Sequence, residues 1–395
     1  MKTTMNSSEK ELDRIGGEAK LIVYHDDKQV LDAYFIATAP VRGFEKLVLG
    51  KNPLFVIEAV MRICGICHAA HGIASAEAFE NALGIMPPPE GRRLREAIGL
   101  INRIQSHLYH LLLIIPDIVG RENMASHVLE CIQLLNDVND VMIRIGGAPT
   151  HPPNIVIGGV LKPPSEAGLR EALRKISMVK EKYDKLRHKL VELSDNNKYV
   201  EELDKHQLPE EAGQLASHLF YGDRYNVDPD KVTTMRYEEY RGKHDGKLLS
   251  STLVAMYDGG IVEAGPRSRL SLYRGYSGRS LWDLQRARFN EIELALDRVK
   301  ELLENIRLTA PFRTTTVIYG YGRGVGVYEA PRGTLFHYVE LSDEGRVINY
   351  KIVVPTMFNI PVMERSLKGV SVGVAEVIPR LFDPCIPCTT HYVRV

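Results

Sequence analysis

Two C-x-x-C pairs stand near opposite ends of the chain: Cys64 and Cys67 in Arg62-Ile63-Cys64-Gly65-Ile66-Cys67-His68-Ala69-Ala70-His71, and Cys385 and Cys388 in Asp383-Pro384-Cys385-Ile386-Pro387-Cys388-Thr389-Thr390-His391. They use four of the five cysteines. Each pair can place two thiolates on one ion, so a fold that joins the ends builds a four-sulfur site at its centre, and such a site suits a soft transition metal.

The rest of the composition is that of a globular enzyme. With 395 residues, 44% hydrophobic and 25% charged, the chain can bury roughly three quarters of its unfolded surface, so its stability does not need the metal. Lysine plus arginine and aspartate plus glutamate balance at 50 each, which leaves no basic footprint for nucleic acid and no charged tail for a membrane surface. Met1 to Glu18 is polar, without the apolar core of a signal peptide. The longest apolar run, Leu111 to Ile115, is far too short for a membrane span. The expected setting is soluble and cytoplasmic, where C-x-x-C serves metal or redox chemistry more often than structural disulfides. Cys131, alone in an apolar stretch, reads as core packing.

Apolar periodicity sets the expected architecture. Leu21 to Tyr24 and Leu31 to Ala37 read as a hairpin turned at His25-Asp26-Asp27-Lys28. Ile98, Ile101, Ile104, Leu108 and Leu111 recur at helical steps from Leu94 until Pro116 ends the pattern. Leu169 to Leu190 repeats it after Pro163-Pro164, and a third helix covers Leu284 to Ile306. The charged stretch from Asn196 to Gly213 reads as a surface insertion. Thr314 to Tyr319, Leu335 to Leu341 and Val347 to Val354 read as strands, the last two joined through Ser342 to Gly345. The expectation is one α+β, predominantly helical domain over residues 1–395, with terminal strands packed around a central helical bundle.

Three other motif readings are open to the sequence. Gly320-Tyr321-Gly322-Arg323-Gly324-Val325-Gly326 has the look of a dinucleotide-binding loop, but no helix follows to cradle a phosphate, so a flexible turn is expected. Paired C-x-x-C motifs also hold structural zinc, although a zinc ribbon separates its pairs by only about 15–20 residues. A redox-active dithiol is disfavoured because neither pair opens a βαβ pattern.

Taken together, Arg-x-Cys-Gly-x-Cys-x-x-x-His and Asp-Pro-Cys-x-x-Cys-x-x-His resemble the motifs of the large, catalytic subunit of nickel-iron hydrogenases. Val41-Arg42-Gly43-Phe44-Glu45, Ser106-His107 with Pro116-Asp117, Ala216-Ser217-His218 with Tyr221-Gly222-Asp223-Arg224, Tyr257-Asp258-Gly259 with Gly265-Pro266-Arg267, and Glu329-Ala330-Pro331-Arg332-Gly333 extend the likeness. The resemblance implies that Cys64, Cys67, Cys385 and Cys388 bind nickel. Cys67 and Cys388 would also bridge to an iron carrying carbon monoxide and cyanide. Hydrogen would be split heterolytically, with Cys385 taking the proton. Arg332 would stand over the open coordination position, anchored by Asp383; His71 would donate toward a bridging thiolate; Glu45 and His391 would hold magnesium.

Within the family, the Ser106-His107 pair and the Ala216 to Arg224 block are most similar to the enzymes of methanogenic archaea that reduce coenzyme F420. Arg332-Gly333-Thr334-Leu335 is similar to NAD(P)-linked cytoplasmic hydrogenases as well. The implied partners are a small subunit with iron-sulfur clusters and a flavin-bearing, F420-binding subunit, with H2 and protons as substrates. A metal-free relative of the complex I type is disfavoured because those proteins lack the cysteines, and a zinc-stapled scaffold is the alternative from another class.

Two departures stand out. Where the family has Arg-x-Glu-Gly-His, with a proton-relaying glutamate, this chain has Arg14-Ile15-Gly16-Gly17-Glu18, leaving Glu18 or water as substitutes. Only Tyr392-Val393-Arg394-Val395 follows His391, where the family commonly carries an extension removed by a protease.

Overall fold

The computed structural model describes residues 6–119, 121–242, 249–315 and 318–392. The expected hairpin is present. Strands β2 (Ala19–His25) and β3 (Val30–Ala37) pair antiparallel, and the Asp26 carboxylate accepts the backbone N–H groups of Lys28 and Gln29 in the turn. A third strand, β1 (Asn6–Glu11), joins the far edge of β2. Every residue of β1 is exposed, so it has no apolar alternation to reveal it in the sequence.

Helices α1 (Pro53–Met61), α2 (His68–Leu83), α3 (Pro89–Ile118), α4 (Arg121–Gly146), α5 (Glu166–Asp195), α6 (Lys198–Lys205) and α7 (Asp283–Glu304) form the middle of the molecule. The apolar stripes of α3, α5 and α7 are buried, as their periodicity predicts. Helix α3 packs between α4 and α7, and α5 closes the bundle against both. Helix α3 runs two residues beyond Pro116. A proline there removes one backbone donor near the helix end without preventing a final turn, and Val119 N still bonds Ile115 O.

Beyond the bundle, β4 (Gly322–Ala330), β5 (Gly333–Leu341) and β6 (Val347–Val353) form an antiparallel sheet in that order. The chain ends in α8 (Pro355–Ser366), α9 (Val377–Phe382) and α10 (Ile386–Thr389). Main-chain pairing joins the termini: Gly16 bridges Cys385, and Gln29 bridges Ser371.

The glycine run is not a turn. Gly322, Gly324 and Gly326 occupy one face of β4, against a row of alanines on α2. A Cβ at those positions would lie 2.1, 2.1 and 1.8 Å from the backbone oxygens of Ala82, Ala78 and Ala74. Glycine is required because helix backbone and strand backbone touch there. The stretch Asn196 to Gly213 is likewise more than an insertion, since α6 buries Val200 and Leu203, and the Asn197 amide bonds Asp117 O and Ile118 O at the end of α3. The expected strand over Thr314 to Tyr319 is absent at Thr314, Thr315, Ile318 and Tyr319, and 316–317 lie outside the described residues. Thr314 instead bonds Gly158, and Ile318 is exposed, so this segment has no sheet to join.

Candidate metal centre

Each cysteine pair lies where a loop enters a helix. Cys64 follows α1, Cys67 directly precedes α2, Cys385 precedes α10 and Cys388 lies within it. The sulfurs of Cys64 and Cys385 are 3.3 Å apart, those of Cys67 and Cys388 2.9 Å, and those of Cys385 and Cys388 3.0 Å. All four are buried, with their ligand atoms within 4.8 Å of one another.

Arg42 ties the two loops together. Its guanidinium donates to Ile63 O, beside Cys64, and to Pro387 O, beside Cys388, while its backbone N–H donates to Thr390 O. The Cys385 backbone is fixed by a bond from its N–H to Thr356 Oγ1 and by Gly16, which exchanges main-chain bonds with Pro384 and Ile386. The four sulfurs therefore converge through loop architecture supplied by both ends of the chain.

The surroundings favour thiolate at Cys64 and thiol at Cys67 and Cys388. Cys64 is held well below a thiol's ordinary value, first by the hydrogen bond from Cys385, then by those from Cys388 and Cys67, with the charge of Arg332 acting the same way. Burial, with the neighbouring sulfurs, pushes Cys388 well above it. Four soft donors this close, buried and facing a guanidinium, suit a thiophilic metal that displaces the remaining protons. The site fits a nickel-iron group in donor type and number.

Arg332 and Asp383 form an ion pair beside the sulfurs. Arg332 donates from Nε to Asp383 O (2.5 Å), from Nη2 to Asp383 Oδ1 (2.9 Å) and from Nη1 to Ser106 Oγ (3.1 Å). Burial works against both charges, but each outweighs that cost for the other: Asp383 lies well below the usual carboxylate range, helped by His110 and Arg288, and Arg332 stays firmly protonated. Asp383 adopts a left-handed backbone (φ 54°) at the C-terminal end of α9. Arg332, Leu335, Val354, Pro355 and Thr356 line a small cavity beside the sulfurs of Cys67, Cys385 and Cys388.

His71 Nε2 lies 3.4 Å from Cys388 Sγ, and burial lowers its pKa to about 3, so the ring is neutral. Glu45 and His391 also meet: His391 Nε2 is 3.4 Å from Glu45 Oε1 and 2.8 Å from Ile352 O, and Glu45 Oε1 accepts the Ile352 N–H. Glu18 is exposed and immediately precedes β2. Gly16 is the residue against the C-terminal motif, and a Cβ there would lie 2.9 Å from Pro384 O and 3.5 Å from the Cys385 Cα. In the tail, Tyr392 is buried, and 393–395 lie outside the described residues.

Among the residues at the site that had no role assigned from sequence are Arg42, His110 and His337. His110 Nδ1 faces Asp383 Oδ1 at 3.5 Å, and its Nε2 lies 2.7 Å from Gln285 Oε1. Its position four residues after Ser106 puts both on one helix face, a signal that was available. His337 shares a strand face with Leu335, but a lone histidine in an apolar strand gives no hint of its partners.

Comparison with known proteins fits this geometry. The family description "Nickel-dependent hydrogenase" matches residues 42–114 and 284–391. Coenzyme F420 hydrogenase subunit alpha of Methanocaldococcus jannaschii is 37% identical over 95% of this chain and 92% of that protein. Sulfhydrogenase 2 subunit alpha of Pyrococcus furiosus is 29% identical over 98% of each. The solved Ni-Fe-Se hydrogenase of Desulfomicrobium baculatum shares the fold, with a TM-score of 0.81 over 98% of this chain and 100% of the other at 21% identity. With both cysteine pairs inside the matched segments and converged on one point, the chain belongs to the nickel-dependent hydrogenases, as a large subunit whose catalytic role is the activation of H2.

Proposed function

We propose that this chain, acting as one domain, is the catalytic subunit of a cytoplasmic hydrogenase that passes electrons from H2 to coenzyme F420. The observation that carries the acceptor is the likeness over nearly the whole chain to F420 hydrogenase alpha subunits, at 37% and 32% identity. A sulfhydrogenase and an F420-non-reducing enzyme follow at 29% and 30%. A hydrogenase linked to NAD(P) or a heterodisulfide is the second reading.

In this proposal Cys64, Cys67, Cys385 and Cys388 hold nickel, and Cys67 and Cys388 also hold an iron with carbon monoxide and cyanide ligands. When bound, that pair supplies the redox-active Lewis acid that polarises H2. In heterolytic cleavage Cys385 Sγ would receive the proton, and the electron pair of the broken H–H bond would be left to the metal group that the four cysteines would hold. Arg332 stands over the reacting position as a fixed positive charge, and Asp383, through its bonds to Nε and Nη2, fixes the plane of that guanidinium. His71 donates toward Cys388. Glu45 Oε1, His391 Nε2 and Ile352 O converge as a small oxygen and nitrogen site, which supports magnesium there.

Electrons must leave through a partner, since the chain's four clustered cysteines are committed and Cys131 is buried alone with its thiol donating to Leu108 O. We assign a small subunit with iron-sulfur clusters to the face around Arg62 and Gly65, the exposed residues of the two motifs, where the His68 ring lies 5.3 Å from that of half-buried His151. A flavin-bearing subunit would then meet F420. None of the described helices is long and apolar enough to cross a membrane. The test is hydrogen-dependent reduction by the purified complex: F420 reduction at a rate comparable to that with a viologen dye supports the reading, and dye reduction with no F420 reduction overturns the acceptor.

A further inference from the structure

The hairpin turn that carries Arg332 is buried. Ala330 pairs with Gly333 across β4 and β5, so Pro331 and Arg332 form a two-residue connection. Ala330 and Arg332 are only 3% and 5% exposed. Turns normally run over the surface, where water satisfies their carbonyls. Here the protein must supply the donors itself.

Two guanidinium groups do so. Arg269, on the helix Pro266–Arg274, donates from Nη1 to Ala330 O and from Nη2 to Pro331 O, each at 3.0 Å. Arg103, on α3, donates from Nη2 to Glu329 O at 2.6 Å. The main-chain oxygens of the three residues before Arg332 are therefore each held by a cation.

Carboxylates hold the cations in turn. Glu291, on α7, accepts Arg269 Nε on Oε1 at 2.5 Å and Nη2 on Oε2 at 2.7 Å, and Glu329 Oε2 accepts Nη1 at 3.0 Å. Every one of the five N–H donors of a guanidinium thus meets an acceptor at Arg269. Arg103 Nη1 also reaches Glu291 Oε1, at 3.5 Å. All four side chains are buried, and within the group the two cations and two carboxylates balance. The turn also lies directly on the segment that leads into the helix of Arg269. A Cβ on Gly265 would stand 3.3 Å from Arg332 O, and one on Gly333 would stand 2.5 Å from the Ala264 Cβ.

We propose that Arg269 is a positioning residue for Arg332, and that Glu291 orients it for that task. The Arg332 side chain is fixed by Asp383 and Ser106, and its backbone is fixed by Arg269 through the carbonyls of Ala330 and Pro331. Held at both ends, the Arg332 cation keeps one place beside the sulfurs. Without Arg269 those carbonyls would be buried with fewer donors, and the turn would shift to find them. The proposal rests on the reading of Arg332 as the residue over the reacting position.

The test is a double-mutant cycle on the complete hydrogenase complex, read by hydrogen-uptake kinetics and by infrared bands of metal-bound carbon monoxide and cyanide. Arg269→Lys keeps the charge that Glu291 and Glu329 need but has three donors where arginine has five. It should load nickel and iron normally, shift the cyanide bands, and lower kcat about 10- to 100-fold with KM for H2 within about twofold of wild type. In an Arg332→Lys background the same substitution should change kcat by less than about twofold and leave the bands where Arg332→Lys alone puts them, because it acts through Arg332. Glu291→Gln, which keeps the side-chain volume, should give a smaller change of the same kind. Equal effects of Arg269→Lys in both backgrounds, or no effect in either, overturn the proposal. So does failure of both the Arg269→Lys and the Glu291→Gln complexes to take up metal, which would make the charge cluster a folding element only. If Arg332→Lys alone matches wild type in rate and bands, the reading of Arg332 is wrong and the proposal falls with it.

Discussion

Replacing Arg332 with lysine keeps the charge and removes the fork. The guanidinium makes three directed bonds, two to Asp383 and one to Ser106 Oγ. An ammonium can follow the carboxylate but cannot serve all three partners in one plane. Loss of two bonds that involve a charged donor is worth about 1.5–3 kcal/mol each. If one of them acts only in the transition state, the barrier rises by that amount and the rate falls about 10- to 160-fold. The four sulfurs are untouched, so nickel and iron contents should stay normal. The assay is hydrogen uptake and hydrogen-deuterium exchange on protein matched by metal analysis. A lysine variant within about twofold of wild type in both assays would show that Arg332 is only a structural ion-pair partner.

Cys388→Ser should abolish hydrogen uptake while leaving the fold intact by circular dichroism, because a hard oxygen replaces a bridging sulfur; retained activity would sink the ligand assignment. Gly16→Glu should either raise the exchange rate, if proton relay limits turnover, or destabilise the chain by pressing on Pro384 O, 2.9 Å from its Cβ; unchanged exchange in Glu18→Gln would remove that exposed residue from the relay. Gly326→Ala should cost about 3 kcal/mol, read as a lowered melting temperature, since its Cβ would stand 1.8 Å from Ala74 O; an unchanged melting temperature refutes the close packing. His107, held neutral by burial with its pKa lowered to about 4, should make stability fall as pH drops from about 6.5 toward 4, because the unfolded histidine takes a proton the folded one refuses; His107→Gln should flatten that slope in pH-dependent thermal melts.

The metal centre was legible because its chemistry is local. Cys64, Cys67, Cys385 and Cys388 declare themselves by type and spacing, and their distance apart in sequence forces the ends together, as the Gly16 bridge to Cys385 bears out. The bundle was legible for the same reason, since α3, α5 and α7 each carry a 3.6-residue apolar stripe. What could not be read depends on partners distant in sequence. The glycines of β4 look like a turn until Ala74, Ala78 and Ala82 are known to press on them. Arg42 is an ordinary cation until its guanidinium is seen to bond the carbonyls beside both cysteine loops, and His337 is an ordinary core histidine until His71 and Tyr350 are seen on either side of it.

The central claim is that the four converged cysteines hold nickel and iron. Elemental analysis of the purified complex, with infrared spectra of the same sample, tests it directly. The account predicts stoichiometric nickel and iron in this chain, no stoichiometric zinc, and bands of metal-bound carbon monoxide and cyanide. One zinc per chain with neither nickel nor those bands would contradict it, and would make the four-sulfur site a structural staple.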